Sequence, residues 1–236
     1  MLGELFRNSQ LEMSATVVSP SGAVPDWGAL LTNRILAVVA IVLVVANLPN
    51  FFRVFPDIWD CLRRSRANSM LEHSANLARM RNMTALAGII PFCLIADRFG
   101  LYQPEILGRI DPFWHSLILI GVLVVYVFLR NILFAFFKPR RLHAETEDII
   151  HHCIYSYFCL LVFFMLLTVA VCHVAGSPED LLRKIMLWET AALFALSVIR
   201  TGQILTQHVH GLSTILYLCA LELIPAAALV ASAIVF

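Results

Sequence analysis

The chain has 236 residues, 60% of them hydrophobic and only 14% charged, with mean hydropathy +0.81 and formal net charge +1. Soluble domains are about 45–50% apolar and about 25% charged, so the composition excludes an ordinary soluble fold and points to an all-α, polytopic helical membrane protein. No basic tract of nucleic-acid type occurs, and none of the six cysteines forms a C-x-x-C pair, which argues against nucleic acid as a partner and for reduced, buried thiols.

Residues 1–26 are polar and mixed, with Pro20 and Pro25 and no apolar core, and read as an N-terminal tail. The first span is expected over 27–48, ending at Asn47-Leu48-Pro49-Asn50. Phe51, Phe55, Ile58 and Leu62 then recur at helical spacing among arginines and aspartates, which predicts a cytoplasmic interfacial amphipathic helix over 51–66. Ser69-Met70-Leu71-Glu72 has the form of a capping box and is expected to start the helix that leads into a second span, 83–96, kinked at Pro91.

Asp111-Pro112 reads as an N-cap followed by proline at the first helical position, opening a third span over 113–137. Lys138-Pro139-Arg140-Arg141 stops it. Acids at Glu147 and Asp148 suit the start of a fourth span, 149–175. Ser177-Pro178-Glu179-Asp180 opens a fifth, 181–205, and the last apolar run forms a sixth, 212–236. The result is one six-helix transmembrane domain over 27–236.

Basic residues set the orientation. Six arginines lie between spans one and two, and three basic residues between spans three and four. Those loops are expected to face the cytoplasm of an inner membrane, with both termini outside. Arg53, Arg63, Arg64 and Arg66 would then present a surface to anionic lipid headgroups or a partner.

Glu222 carries the strongest functional signal. A carboxylate inside an apolar span must be paired, protonated or hydrated. Pro225 follows it and removes a backbone donor, marking a helix kink. At ~1.5 Å per residue, Glu222 is roughly 15 Å from the cytoplasmic face, Arg130 about 10 Å, Arg200 about 7 Å and Glu189 about 24 Å. Arg130 or Arg200 can therefore reach Glu222, while Glu189 is the poorer match for either. The pair reads as a structural clamp in preference to a proton or ion site. His208, His210, His151 and His152 form a cytoplasmic-side histidine group, read as solvated or structural rather than as metal ligands. No catalytic motif is present, and no metal or cofactor is expected.

The order of Phe51-Phe52-Arg53-Val54-Phe55, Glu145-Thr146-Glu147-Asp148-Ile149-Ile150 and Leu216-Tyr217-Leu218-Cys219-Ala220-Leu221-Glu222-Leu223-Ile224-Pro225 resembles the bacterial integral-membrane family of unknown function DUF4271. The last motif is the specific one. The resemblance implies a Gram-negative inner-membrane protein and transfers no activity. The expected role is a non-enzymatic accessory or interaction subunit of an envelope assembly, contacting the bilayer and a membrane-protein partner or a second copy. The alternative is a small transporter or proton-coupled channel using Glu222.

Overall fold

The computed structural model describes residues 27–235 apart from 64–65, 103, 105–106, 137–143, 207–213 and 215–217. The expected polar tail, the basic stop after span three and the start of span six lie outside the described residues. Everything described is helix, turn or short link, with no strand among the described residues.

A single turn at Trp27–Ala29 precedes α1, Leu31–Arg63. Helix α1 corrects the expected boundary at 47–50. It runs unbroken through Pro49 and Pro56, so residues 51–63 are its final third and not a separate interfacial helix. Each proline removes one ladder bond. What holds the helix together is burial on its far side. Val54, Ile58 and Cys61 are fully buried, Phe51 stacks on Phe163 at 5.4 Å, and Trp59 meets Phe164 at 6.2 Å. The aromatic periodicity at 51–62 therefore marks a helix–helix contact. The first two thirds of α1 are different. Ile35, Val38, Ile41, Val42 and Val45 are each more than half exposed.

Helix α2, Arg66–His73, and helix α3, Ala75–Arg98, meet at Ser74. The capping-box reading is thereby corrected. Ser69 lies inside α2, and the residue preceding α3 is Ser74, whose side chain makes no cap bond. Helix α3 continues through Pro91 to Arg98 and is closed by Gly100, whose φ of 59° places it in the left-handed region that glycine tolerates. Leu101 N–H bonds Ala96 O and Gly100 N–H bonds Asp97 O, the paired bonds of a glycine C-cap.

Helix α4, Pro112–Phe136, starts at the expected proline. Helix α5, Ala144–Val174, closes in the same manner at Gly176, φ 63°, with Ser177 N–H on Cys172 O. Helix α6 spans Glu179–Thr206 with both acids in its first turn. A π-helical turn, Cys219–Leu223, then leads into α7, Ile224–Val235.

Helix α3 packs on α1, α4 and α5, and α5 packs in turn on α6. Gly88 sets the α3–α5 distance: a Cβ there would sit 3.2 Å from a Val162 methyl. Small residues at such contacts let helix backbones approach closely. Around them lies a core built from Val54, Ile58, Leu71, Ile150, Tyr157 and Leu160.

Among the described residues, three segments are long and apolar enough to cross a membrane: Leu31–Arg63, Pro112–Phe134 and Asp148–Val174. At ~1.5 Å per residue α1 alone extends about 50 Å, beyond the ~30 Å of a hydrocarbon core.

Candidate functional site

The site forms where α4, α5 and the π turn converge. Arg130 Nη2 donates to Glu222 Oε1 at 2.7 Å, with the two side chains only 3% and 2% exposed. Arg130 Nη1 donates to the backbone oxygen of His151 at 3.1 Å. One guanidinium thus ties three segments together. Glu222 Oε2, Arg130 Nε and the hydroxyls of Ser156 and Ser197 are buried without a hydrogen-bond partner among the described residues.

The π turn gives Glu222 its setting. Ile224 N–H bonds Cys219 O, five residues back, so the helix is widened by one residue just ahead of Pro225. The wider turn makes room for the proline ring, which would otherwise crowd the carbonyl of Leu221. Single π turns inside helices often coincide with functional positions.

Arg200, the other expected partner of Glu222, is engaged elsewhere. Its Nη2 donates to Leu62 O at 2.7 Å, and its Nη1 to Gln203 Oε1. It thus places a cation on the C-terminal carbonyls of α1, where both the unsatisfied oxygens and the helix dipole favour one. Glu189 meets neither arginine and accepts a hydrogen bond from Thr168.

Of the four histidines expected on the cytoplasmic side, two are described, and each faces a polar side chain. His151 Nε2 lies 3.0 Å from Asn131 Oδ1, and His152 Nδ1 lies 2.9 Å from Glu72 Oε1. His208 and His210 lie outside the described residues. Among the described residues, no group of three or more His, Cys, Asp or Glu side chains could hold a metal ion. Arg53 and Arg63 are exposed, as is Arg79, whereas Arg64 and the side chain of Arg66 lie outside the described part.

Two polar clusters escaped the sequence reading. In the first, Arg81, fully buried, contacts Glu72 Oε2 at 2.8 Å and donates to Asn82 Oδ1, so it turns inward from the basic stretch it belongs to. Burial alone would raise the Glu72 pKa. Hydrogen bonding from His152, together with the Arg81 charge, outweighs it and holds the carboxyl below its ordinary value. The second cluster is at the other end of the bundle. Trp27 Nε1 donates to Asp97 Oδ2 at 2.7 Å, and Ser116 Oγ lies within hydrogen-bond distance of both Asp97 and Asn33. Only the S-x-x-E spacing at 69–72 flagged Glu72, and it did so for a different reason.

The exposed aliphatic band on α1 and the three described helices long and apolar enough to cross a bilayer point to membrane association of this all-helical fold. The chain belongs to the family described as a domain of unknown function (DUF4271), which it matches over residues 34–232. No curated protein and no solved structure matches it.

Proposed function

We propose that this chain is a multi-pass inner-membrane protein of a bacterial envelope, serving as a non-enzymatic accessory or interaction subunit. The observation that carries this reading is the direct pairing of two buried charges. Arg130 and Glu222 are in direct contact and almost wholly buried. The spaces flanking them are lined mainly by apolar side chains. A transport site needs an opening to water on alternate sides, whereas a clamp needs contact and packing.

The interaction surface in this reading is the arginine-bearing end of α1 and the start of α3, where Arg53, Arg63 and Arg79 are exposed. Basic residues beside a span attract anionic headgroups, each contributing about 1 kcal/mol near the surface. The test reconstitutes the protein in nanodiscs of defined composition and measures retention of anionic lipid. Replacing all three arginines by Gln should lower anionic-lipid enrichment severalfold and leave the melting temperature unchanged. Equal enrichment in the variant overturns the assignment of the surface.

A second reading, proton-coupled transport through Glu222, is favoured by one observation: its Oε2 has no partner among the described residues and sits in a π turn. It predicts that Glu222→Gln abolishes a pH-driven flux in proteoliposomes while the protein stays folded. No flux in the unmodified protein removes this reading.

A further inference from the structure

A polar network separate from the Arg130–Glu222 clamp holds two side chains in fixed orientations. Its centre is Arg81, which is buried and can only donate. Arg81 Nε and Nη2 donate to Asn82 Oδ1 at 3.0 and 2.9 Å, which fixes that atom as the amide oxygen and turns the amide nitrogen away. Arg81 Nη1 lies 2.8 Å from Glu72 Oε2, and the other oxygen of Glu72 lies 2.9 Å from His152 Nδ1. A carboxylate only accepts, so Nδ1 carries the proton, and Nε2 of the neutral ring keeps its lone pair. Residues of α2, α3 and α5 thus form one continuous chain of contacts. It sets an amide rotamer at one end and an imidazole tautomer at the other.

Both ends open on the same space. Asn82 and His152 line a cleft of about 390 Å³ between α3, α4 and α5, within the ~300–1,000 Å³ typical of ligand sites. Neither Asn82 Nδ2 nor His152 Nε2 has a partner among the described residues, and each keeps accessible surface, unlike the sealed Arg130 Nε. The cleft therefore offers one free donor and one free acceptor, followed by walls of Leu86, Ile89 and Leu123. From Asn82 to Ile89 it follows α3 for ~10 Å. Its rim carries Met83 and Leu86, both more than half exposed, so it opens on the side where acyl chains lie in a membrane.

The chemistry of the head follows by elimination. The charges at this end are already matched, Arg81 by Glu72 and Arg130 by Glu222, so a charged head adds an uncompensated charge. A ketone or ether oxygen can accept from Asn82 but sets its lone pairs against that of His152 Nε2. A hydroxyl accepts from the first and donates to the second.

We propose that this cleft binds an uncharged lipid alcohol. Its hydroxyl donates to His152 Nε2 and accepts from Asn82 Nδ2, and its chain lies along Leu86, Ile89 and Leu123. The proposal rests on the chain lying in a membrane and is independent of the accessory role and of the arginine surface.

The test uses the full chain in nanodiscs and four photoactivatable probes of equal chain length: a primary alcohol, its methyl ether, the carboxylic acid and the bare hydrocarbon. The alcohol should label residues 82–89 and 123–130 about tenfold above the ether, the equivalent of one hydrogen bond. His152→Phe keeps a ring and loses both nitrogens. It should bring the alcohol down to the level of the ether and leave the ether unchanged. Ile89→Trp, which fills the apolar end, should cut labelling by both about tenfold. The alcohol-to-ether ratio is read on the unmodified protein, so it decides the proposal whether or not His152→Phe folds. Competition separates the sources of the hydroxyl: displacement by unlabelled diacylglycerol assigns a glycerol hydroxyl, and displacement by an unlabelled isoprenol assigns a prenyl one. The hydrocarbon should mark the exposed face of α1 and reports the membrane reading separately. Equal labelling by alcohol and ether overturns the hydroxyl. Stronger labelling by the acid overturns the uncharged head. Alcohol labelling that falls on the exposed face of α1 and ignores Ile89→Trp overturns the site.

Discussion

At the scale of single residues, the Arg130–Glu222 contact is worth more broken than made. Two charges this far from water recover their desolvation only through each other, so removing one leaves the other stranded. Glu222→Ala should therefore lose about 3–5 kcal/mol in reversible unfolding from mixed micelles. Arg130→Met combined with Glu222→Leu should recover most of that loss, which a double-mutant cycle reads directly. Glu72 supplies the pH dependence. Its folded pKa lies below its ordinary value near 4.5, so the folded state binds its proton less readily than the unfolded chain. The stability it contributes is complete above that ordinary value and disappears as pH falls through the depressed one. Melting temperatures of the unmodified protein and Glu72→Gln should differ most above about pH 5 and converge on further acidification. Depth arithmetic along the helices brings Glu222 within reach of two arginines, but depth carries no azimuth. Arg200 sits at a suitable height and faces α1, which only the packing of α6 decides. Glu72 was equally hidden, because its partners Arg81 and His152 come from α3 and α5.

At the scale of elements, local signals marked starts better than interruptions. Pro112 and the acids at 179–180 open helices as expected, since a proline at the first turn costs no bond and acids there complement the dipole. Pro49 and Ser69 misled for a shared reason. Each is a local preference that tertiary burial overrides, with Val54, Ile58 and Cys61 holding α1 straight through and Leu71 burying α2. Arg200 is the element-scale counterpart of a cap, reaching across from α6 to the last carbonyls of α1. Arg200→Ala should cost about 1 kcal/mol and raise amide exchange in the last turn of α1 ahead of the rest of the helix. Gly88 governs a different junction. With a Val162 methyl 3.2 Å from where its Cβ would be, alanine needs only a small shift. Isoleucine must spread α3 from α5, a loss of about 1–3 kcal/mol by overpacking. Unfolding midpoints of Gly88→Ala and Gly88→Ile separate the two cases.

At the scale of the whole molecule, the hydropathy of three helices is sufficient for crossing, and the shortfall of α3 and α6 has a physical origin. Several of their charged and polar residues are paired with neighbouring segments: Arg81 with Glu72, Glu189 with Thr168, and Arg200 with the end of α1. A window average counts such groups as though each met lipid alone, so it undervalues helices whose polar atoms are satisfied by neighbours. The exposed aliphatic band of α1 needs no such correction, which is why membrane character was legible from composition while the number of crossings was not. The two counts make opposite statements about the chain ends: three crossings put the termini on opposite sides, and six put them on the same side. Under the six-span reading, the glycine-capped links at Gly100 and Gly176 share the outer face with both termini, and the arginine-bearing end of α1 lies inside. Fusions of a periplasm-active phosphatase after Gly100, Gly176 and Phe236 should all be active, and one after Arg63 inactive, with a cytoplasm-active reporter showing the reverse. A phosphatase inactive after Phe236 but active at an N-terminal fusion would instead select the odd count and move Glu222 out of a crossing helix.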